Sequence, residues 1–108
     1  MNPDERFASV EYESLFARIG DVRAARQEFL AEVEAGSVNL DGVFESAANR
    51  PVIAGMKVLP AIESLPDIGK VQTRRGFAEV GIGEGDHISD VGPDARTGLP
   101  AALERHAR

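Results

Sequence analysis

The residues best suited to chemistry lie together in the segment LPDIGKVQTRR, residues 65–75. Pro66 is expected to end one helix, Gly69 to permit a tight turn, and the residues after Lys70 to form the next helix. Such a turn directs the first backbone N–H groups of the second helix towards an anion, and the helix dipole adds positive potential. The segment therefore predicts a site for a phosphate group.

Two more cations and a hydroxyl follow in the predicted helix. Arg74 lies four residues beyond Lys70 and Arg75 lies five beyond it, so Lys70 and Arg74 share a helix face and Arg75 flanks it. Successive phosphates of a duplex backbone would be within their reach. Thr73 is expected to add a neutral hydrogen bond. The same pattern also fits a plain helix hairpin whose arginines are only solvated.

The distribution of charge singles out the same part of the chain. The net charge of −6 disfavours a polyanionic ligand, because nucleic-acid affinity comes largely from Lys and Arg. Residues 51–82, however, contain four basic residues against three acidic ones, and they hold both lysines, Lys57 and Lys70. The acidic N-terminal segment is expected to be a solvated face or to receive a basic protein partner.

Other classes of site have little support in the sequence. The chain has no Cys and two His, so thiolate metal ligands, disulfides and thiol nucleophiles are excluded. Asp86 and His87 have no nucleophile beside them, and the glycines of residues 81–86 lack dinucleotide-binding spacing. We therefore predict no catalytic residue, no metal, no cofactor and no enzymatic activity. With no apolar run near about 18 residues and no signal-like start, we expect a cytoplasmic protein without a membrane span.

The elements that must position these residues are predicted to be helical throughout. Apolar residues recur every three to five positions over residues 3–34, which indicates one long helix, or two with a break at Gly20-Asp21. Gly36 is expected to close this helix and Asn39 to cap a short one that ends near Asn49. We predict an all-α single domain with a helical arm at residues 1–35 and a core at residues 36–108.

The second half of the chain is predicted to continue in short helices. One begins at Pro51, one spans residues 57–65, and one spans residues 71–80 with Val71, Phe77 and Val80 facing the core. Ile88 and Val91 would return the following loop to the core. A last helix is expected from residue 93, interrupted at residues 98–100, where Gly and Pro flank a leucine.

The stretch from Asn39 to Ile82 resembles the actinobacterial integration host factor family. The matching sequence motifs are NL at residues 39–40, GMKV at 55–58 and LPDIGKV at 65–71. The similarity covers roughly residues 20–92. The resemblance implies a long N-terminal helix packed on a helix-two-turn-helix core similar to that of a small-subunit ribosomal protein. It also implies a monomeric nucleoid-associated protein that binds and bends duplex DNA with low sequence specificity.

The resemblance assigns roles to some residues and removes others. Gly69 and Lys70 match the family's phosphate-binding turn, and Lys57 matches the lysine of its Met-Lys-Val word. Asp67 and Gln72 occupy positions that are usually or often basic in the family. Residues 85–89 replace a basic cluster with which the family binds DNA. Arg74 and Arg75 would compensate in part. Protonation of His87 would restore one charge and strengthen DNA binding at lower pH.

The predicted function is non-catalytic binding of the duplex DNA backbone within the nucleoid. Binding should be weaker than is usual for the family, since each lost phosphate contact lowers the log–log salt slope by about 0.9. The alternative is a diverged member that has lost DNA binding and acts through protein–protein contacts. A continuous basic patch would favour DNA, and acids that interrupt it would favour a protein partner. The predicted DNA-binding residues are Lys57, Gly69, Lys70, Thr73, Arg74, Arg75 and His87.

Overall fold

The computed structural model describes the backbone of residues 3–107 and the side chains of residues 19–107. Within these residues there are helices and connecting turns but no strand, so the all-α prediction is confirmed. The only β-type pairing among them is an isolated bridge between Lys57 and His87. The elements in chain order are α1 (Pro3–Glu34), α2 (Leu40–Asn49), α3 (Pro51–Ala54), α4 (Val58–Glu63), α5 (Lys70–Val80), a 3₁₀ turn (Ile88–Asp90) and α6 (Pro93–Arg105).

The first helix is continuous through Gly20, which answers the question of one helix or two. Glycine costs about 1 kcal/mol inside a helix, but a break would leave backbone groups on both sides without partners. α1 ends at Glu34, and Gly36 closes it as predicted with a left-handed φ of 82°. Its last turns place Phe29 and Val33 in the core, so the C-terminal end of α1 packs with the rest of the molecule.

Arg26 fastens α1 to α3. Its Nε donates a hydrogen bond of 2.9 Å to the carbonyl of Val52. A Cβ at Gly55 would lie 2.9 Å from the Arg26 Nη2, so the glycine leaves room for the guanidinium group. This half-buried arginine therefore adds a polar contact to the core packing of Phe29 and Val33 at the same end of the long helix.

The core fills the space between the C-terminal end of α1 and the shorter helices. Asn39 caps α2 as predicted, because its side chain accepts a hydrogen bond of 2.8 Å from the Gly42 N–H. The core side chains are aliphatic apart from three phenylalanines: Phe29, Val33, Val43, Phe44, Ile53, Met56, Val58, Ile62, Leu65, Phe77, Ile82, Ile88, Leu99 and Leu103.

The last helix contradicts the prediction of an interruption at residues 98–100. α6 continues through Gly98 and Pro100 to Arg105. Pro100 removes one backbone hydrogen bond, at a typical cost of about 3 kcal/mol. Leu99 and Leu103 are buried on either side of it, and burial of each such side chain contributes about 1.5–3 kcal/mol. Tertiary packing therefore outweighs the local helix-breaking residues.

The loop after α5 is tied back to the start of α4. The Val58 N–H donates to the Asp86 carbonyl at 2.9 Å, and the Ile88 N–H donates to the Met56 carbonyl at 2.8 Å. Ile88 is buried and Val91 is half-buried against the core, so their predicted return to the core is confirmed. This loop is therefore fixed beside α4 and α5.

Candidate nucleic-acid interface

The turn between α4 and α5, residues 64–69, depends on a left-handed residue other than its glycine. Asp67 has a φ of 68°, a conformation that aspartate tolerates better than most residues. Gly69 has φ −90° and ψ 164°, which is extended backbone open to any residue. The prediction that Gly69 makes the turn is wrong in this respect, because Asp67 carries the unusual torsion.

The absence of a side chain at Gly69 leaves the start of α5 open. A Cβ built at Gly69 would meet nothing within 4 Å, and no side chain caps the helix. Among the described residues, the amides of Lys70 and Val71 have no acceptor. Free N–H groups at the positive end of an 11-residue helix form a ready site for an anion.

Gln72 holds this helix start in position. Its Oε1 accepts a hydrogen bond of 3.2 Å from the Gly69 N–H, and its Nε2 donates one of 2.8 Å to the carbonyl of Leu103 in α6. The side chain thus joins the turn to the C-terminal end of α6. The sequence indicated Gln72 only as the position of a missing family cation, because its partner Leu103 lies 31 positions away.

Thr73 lies inside the molecule, which corrects its predicted role. Its side chain has 0% exposure, and its hydroxyl donates a hydrogen bond of 2.8 Å to the Gly69 carbonyl. The same carbonyl accepts the Thr73 N–H at 3.0 Å. Thr73 therefore orders the first turn of α5 and is not placed to contact a phosphate.

Lys70 and Arg75 are the exposed cations nearest the open helix start. Both line a surface groove of about 600 Å³, together with Gly69, Gln72 and residues of the C-terminal end. Neither has an ion-pair partner within 4.0 Å among the side chains that the structure describes. Their charges are therefore available to an anionic ligand.

Val71 is exposed in the same groove, in contrast to its predicted place in the core. Its exposed fraction is 61%, because the inward face of α5 is formed by Thr73, Gly76 and Phe77. Val71 thus places a solvent-exposed apolar side chain beside the free amides and the two cations. No feature of the sequence distinguished it from the core valines.

The C-terminal end of α6 lines one side of the groove and is held against α5 by polar contacts. Glu79 of α5 accepts a hydrogen bond of 2.7 Å from the Arg105 Nε, and its other oxygen lies 3.3 Å from the His106 Nε2. His106 and Ala107 line the groove opposite the turn. These contacts, with that of Gln72, hold the C-terminal turn of α6 against α5.

Arg74 is paired with acids, unlike its two neighbours in the cluster. Its Nε lies 3.3 Å from the Glu84 Oε1 and 3.9 Å from the Glu63 Oε1. The cations of α5 therefore form no continuous basic patch among the described residues, because acids interrupt them at Arg74. Lys70 and Arg75 line one groove, and Arg74 is not among its lining residues.

Lys57 and His87 form a second group, near the start of α4. The two residues face each other in the isolated bridge, and α4 separates Lys57 from the turn. His87 lies beside Asp90, with 3.2 Å between the His87 Nδ1 and the Asp90 Oδ2. The pKa of the Asp90 carboxyl is below its ordinary value, chiefly because it accepts the His87 backbone N–H. A protonated His87 would therefore face a carboxylate as well as any DNA.

The fold and the open turn together define a helix-two-turn-helix domain. The family model for the S13-like H2TH domain matches residues 33–103. The chain therefore belongs to the S13-like H2TH domain family. Its resemblance to the actinobacterial integration host factors, noted from the sequence, is confirmed by the similarities that follow.

Two proteins named Integration host factor are similar to nearly the whole chain. The Streptomyces coelicolor protein is 28% identical over 105 residues, which cover 97% of this chain and 89% of the relative. The Mycobacterium tuberculosis protein is 27% identical over 99 residues, covering 92% and 89%. A solved structure described as sIHF bound to an 8-bp palindromic DNA has a TM-score of 0.72 and 25% identity, and covers 81% of this chain and 98% of that one.

Proposed function

We propose that this chain binds duplex DNA through the start of α5, without catalysis and with low sequence specificity. The observation that carries the proposal is the open helix start at Gly69, where the amides of Lys70 and Val71 and two nearby cations have no partner among the described residues. The relative whose structure contains DNA supports the ligand class. Helix-start amides and surface cations bind phosphates, which carry no sequence information directly, so the proposed binding is to the DNA backbone.

The arrangement assigns each residue a task. A phosphate oxygen accepts hydrogen bonds from the Lys70 and Val71 amides, which the missing side chain at Gly69 leaves accessible. The Lys70 ammonium and the Arg75 guanidinium neutralise this phosphate and a neighbouring one. Gln72 and Thr73 keep the helix start in place.

The remaining predicted contacts have a smaller part in the proposal. Lys57 and His87 lie at the other end of α4 and would contact a separate part of the duplex. Glu63 and Glu84 engage Arg74 and interrupt the cations, which is the arrangement expected to favour a protein partner. We keep duplex DNA as the ligand because the DNA-bound relative supports it, and we expect weaker binding than is usual for the family. We infer a nucleoid location from the ligand. Within the described residues, no helix is long and apolar enough to cross a membrane.

The proposal is tested by fluorescence anisotropy with a labelled duplex of about 30 bp over a salt series. The double variant Lys70→Ala/Arg75→Ala should lower the log–log salt slope by about 1.8, since two cations are lost. The control is Arg50→Ala, which removes one exposed charge from a residue that makes no side-chain capping bond and should leave the slope almost unchanged.

Two results would contradict the proposal. Equal slopes for the double variant and the wild type would place the DNA elsewhere on the surface. Absence of binding by the wild type at low salt would favour the alternative, a member of the family that acts through protein contacts.

A further inference from the structure

The surroundings of Arg74 differ from those of every other cation in the proposed interface. Glu84 approaches its Nε from the loop after α5 and Glu63 approaches it from α4, at 3.3 Å and 3.9 Å. Two carboxylates around one guanidinium leave a local excess of negative charge. The arginine side chain is nevertheless 56% exposed, so a ligand can reach it.

The two carboxylates have different relations to solvent. Glu63 is mostly covered, with 16% of its side chain exposed, and its Oε1 has no hydrogen-bond partner among the described residues. Its charge depends on Arg74 for compensation, because a buried carboxylate is costly when unpaired. The side chain of Glu84 is 62% exposed, so its pairing with Arg74 is not needed to solvate it.

The loop that carries Glu84 is held in place by its own contacts. The Asp86 Oδ2 accepts a hydrogen bond of 2.9 Å from the Gly83 N–H, and the Asp86 carbonyl accepts the Val58 N–H. Glu84 is therefore presented to Arg74 from a fixed loop that is anchored to α4.

We propose that Glu84 lowers the DNA affinity of this chain by competing with the phosphate backbone for Arg74. The inference rests on the proposed function and extends it to a residue that sets affinity. A phosphate that approaches Arg74 must displace the Glu84 carboxylate or lie beside its negative charge. The exchange replaces one ion pair by another and therefore leaves little net attraction. Lys70 and Arg75 have no such pair to break within the part of the chain whose side chains the structure describes.

The test compares Glu84→Gln with the wild type in the anisotropy assay. Loss of the competing charge should tighten binding about twofold to fivefold, the range of a surface ion pair. It should also steepen the log–log salt slope by up to about 0.9, because Arg74 then neutralises one more phosphate. The matched control, Glu45→Gln, makes the same charge change at an exposed position of α2 and should alter affinity much less.

A double-mutant cycle with Arg74 shows whether the effect passes through this residue. In an Arg74→Gln background, Glu84→Gln should no longer tighten binding. Because that background removes the partner of Glu63 and can destabilise the chain, Arg74→Lys is a second background. It keeps the charge and should retain the effect, and thermal melting confirms that each variant is folded.

The possible outcomes separate the inference from the proposed function. Equal effects of Glu84→Gln and Glu45→Gln would overturn the inference, as would an undiminished effect in the folded Arg74→Gln background. Absence of DNA binding by both the wild type and Glu84→Gln would contradict the proposed function, and the inference with it.

Discussion

Gly69 offers a way to separate folding from binding at a single residue. Its backbone is extended and a Cβ there would meet nothing, so Gly69→Ala should leave stability unchanged or raise it by up to about 1 kcal/mol. The new methyl group would stand where the phosphate approaches the amides. Binding should weaken about tenfold, the effect of losing one hydrogen bond to a charged group.

Urea denaturation and anisotropy measure the two effects of Gly69→Ala independently. A variant that is less stable but binds DNA as well as the wild type would show that the glycine serves the fold alone. That result would also contradict the placement of the phosphate at the start of α5.

Asp90 gives a pH-dependent prediction. The backbone N–H of His87, followed by the His87 ring, holds the pKa of Asp90 below its ordinary value of 3.8. Since the folded-state pKa is depressed, Asp90 stabilises the fold above pH 3.8 and this contribution is lost as the pH falls through the folded-state pKa. Asp90→Asn should be less stable than the wild type near neutral pH, and the difference should shrink in acid.

The measurement for Asp90 is urea denaturation at about pH 6 and about pH 3. Equal differences in the free energy of unfolding at the two values would show that the carboxylate charge is not responsible. Glu45→Asn, at an exposed residue outside this hydrogen-bond pattern, is a suitable comparison.

The pairing of α5 with α6 depends on a close approach at Gly76. A Cβ there would lie 2.9 Å from the Leu103 Cδ2, and Leu103 is buried. Gly76→Val should therefore destabilise the protein by about 1–3 kcal/mol through overpacking. The matched change Gly20→Val, where a Cβ meets nothing, should alter stability by less than about 0.5 kcal/mol. Thermal or urea denaturation compares them, and equal losses would contradict the close packing.

Local signals predicted some elements of this fold well and others poorly. Asn39 and Gly36 cap their helices in the structure because capping depends on residues within a few positions. Gly98 and Pro100 gave a misleading signal, since the burial of Leu99 and Leu103 by distant parts of the chain decides the course of α6. Val71 was misplaced because spacing alone did not show which face of α5 meets the core.

The candidate site likewise has features that the sequence predicted and features that it did not. The free helix start at Gly69 and Lys70 follows from adjacent residues, so the sequence predicted it. The contacts that modify the site join distant positions: Gln72 reaches Leu103, and Arg74 meets Glu84 from another element. Such pairs leave no mark on local spacing, and the structure was needed to find them.

For the whole molecule, we predict DNA binding that is weak and sensitive to salt. The net charge is −6. Among the side chains of residues 19–107, the cations of the proposed interface without an ion pair are Lys57, Lys70 and Arg75. If all three neutralise phosphates, the log–log slope should not exceed about 2.7 in magnitude. A salt series on the wild type measures it. A much steeper slope would show that cations outside the interface bind DNA.

Amide NMR is the sharpest test of whether a DNA phosphate binds at the open start of α5. Titration of the ¹⁵N-labelled chain with a short duplex at low salt should shift the amide signals of Lys70 and Val71 most, with smaller shifts near Arg75. Signals of α2 residues around Glu45 should stay in place. Large shifts confined to other surfaces, with the Lys70 and Val71 amide signals unchanged, would contradict a phosphate site at the start of α5.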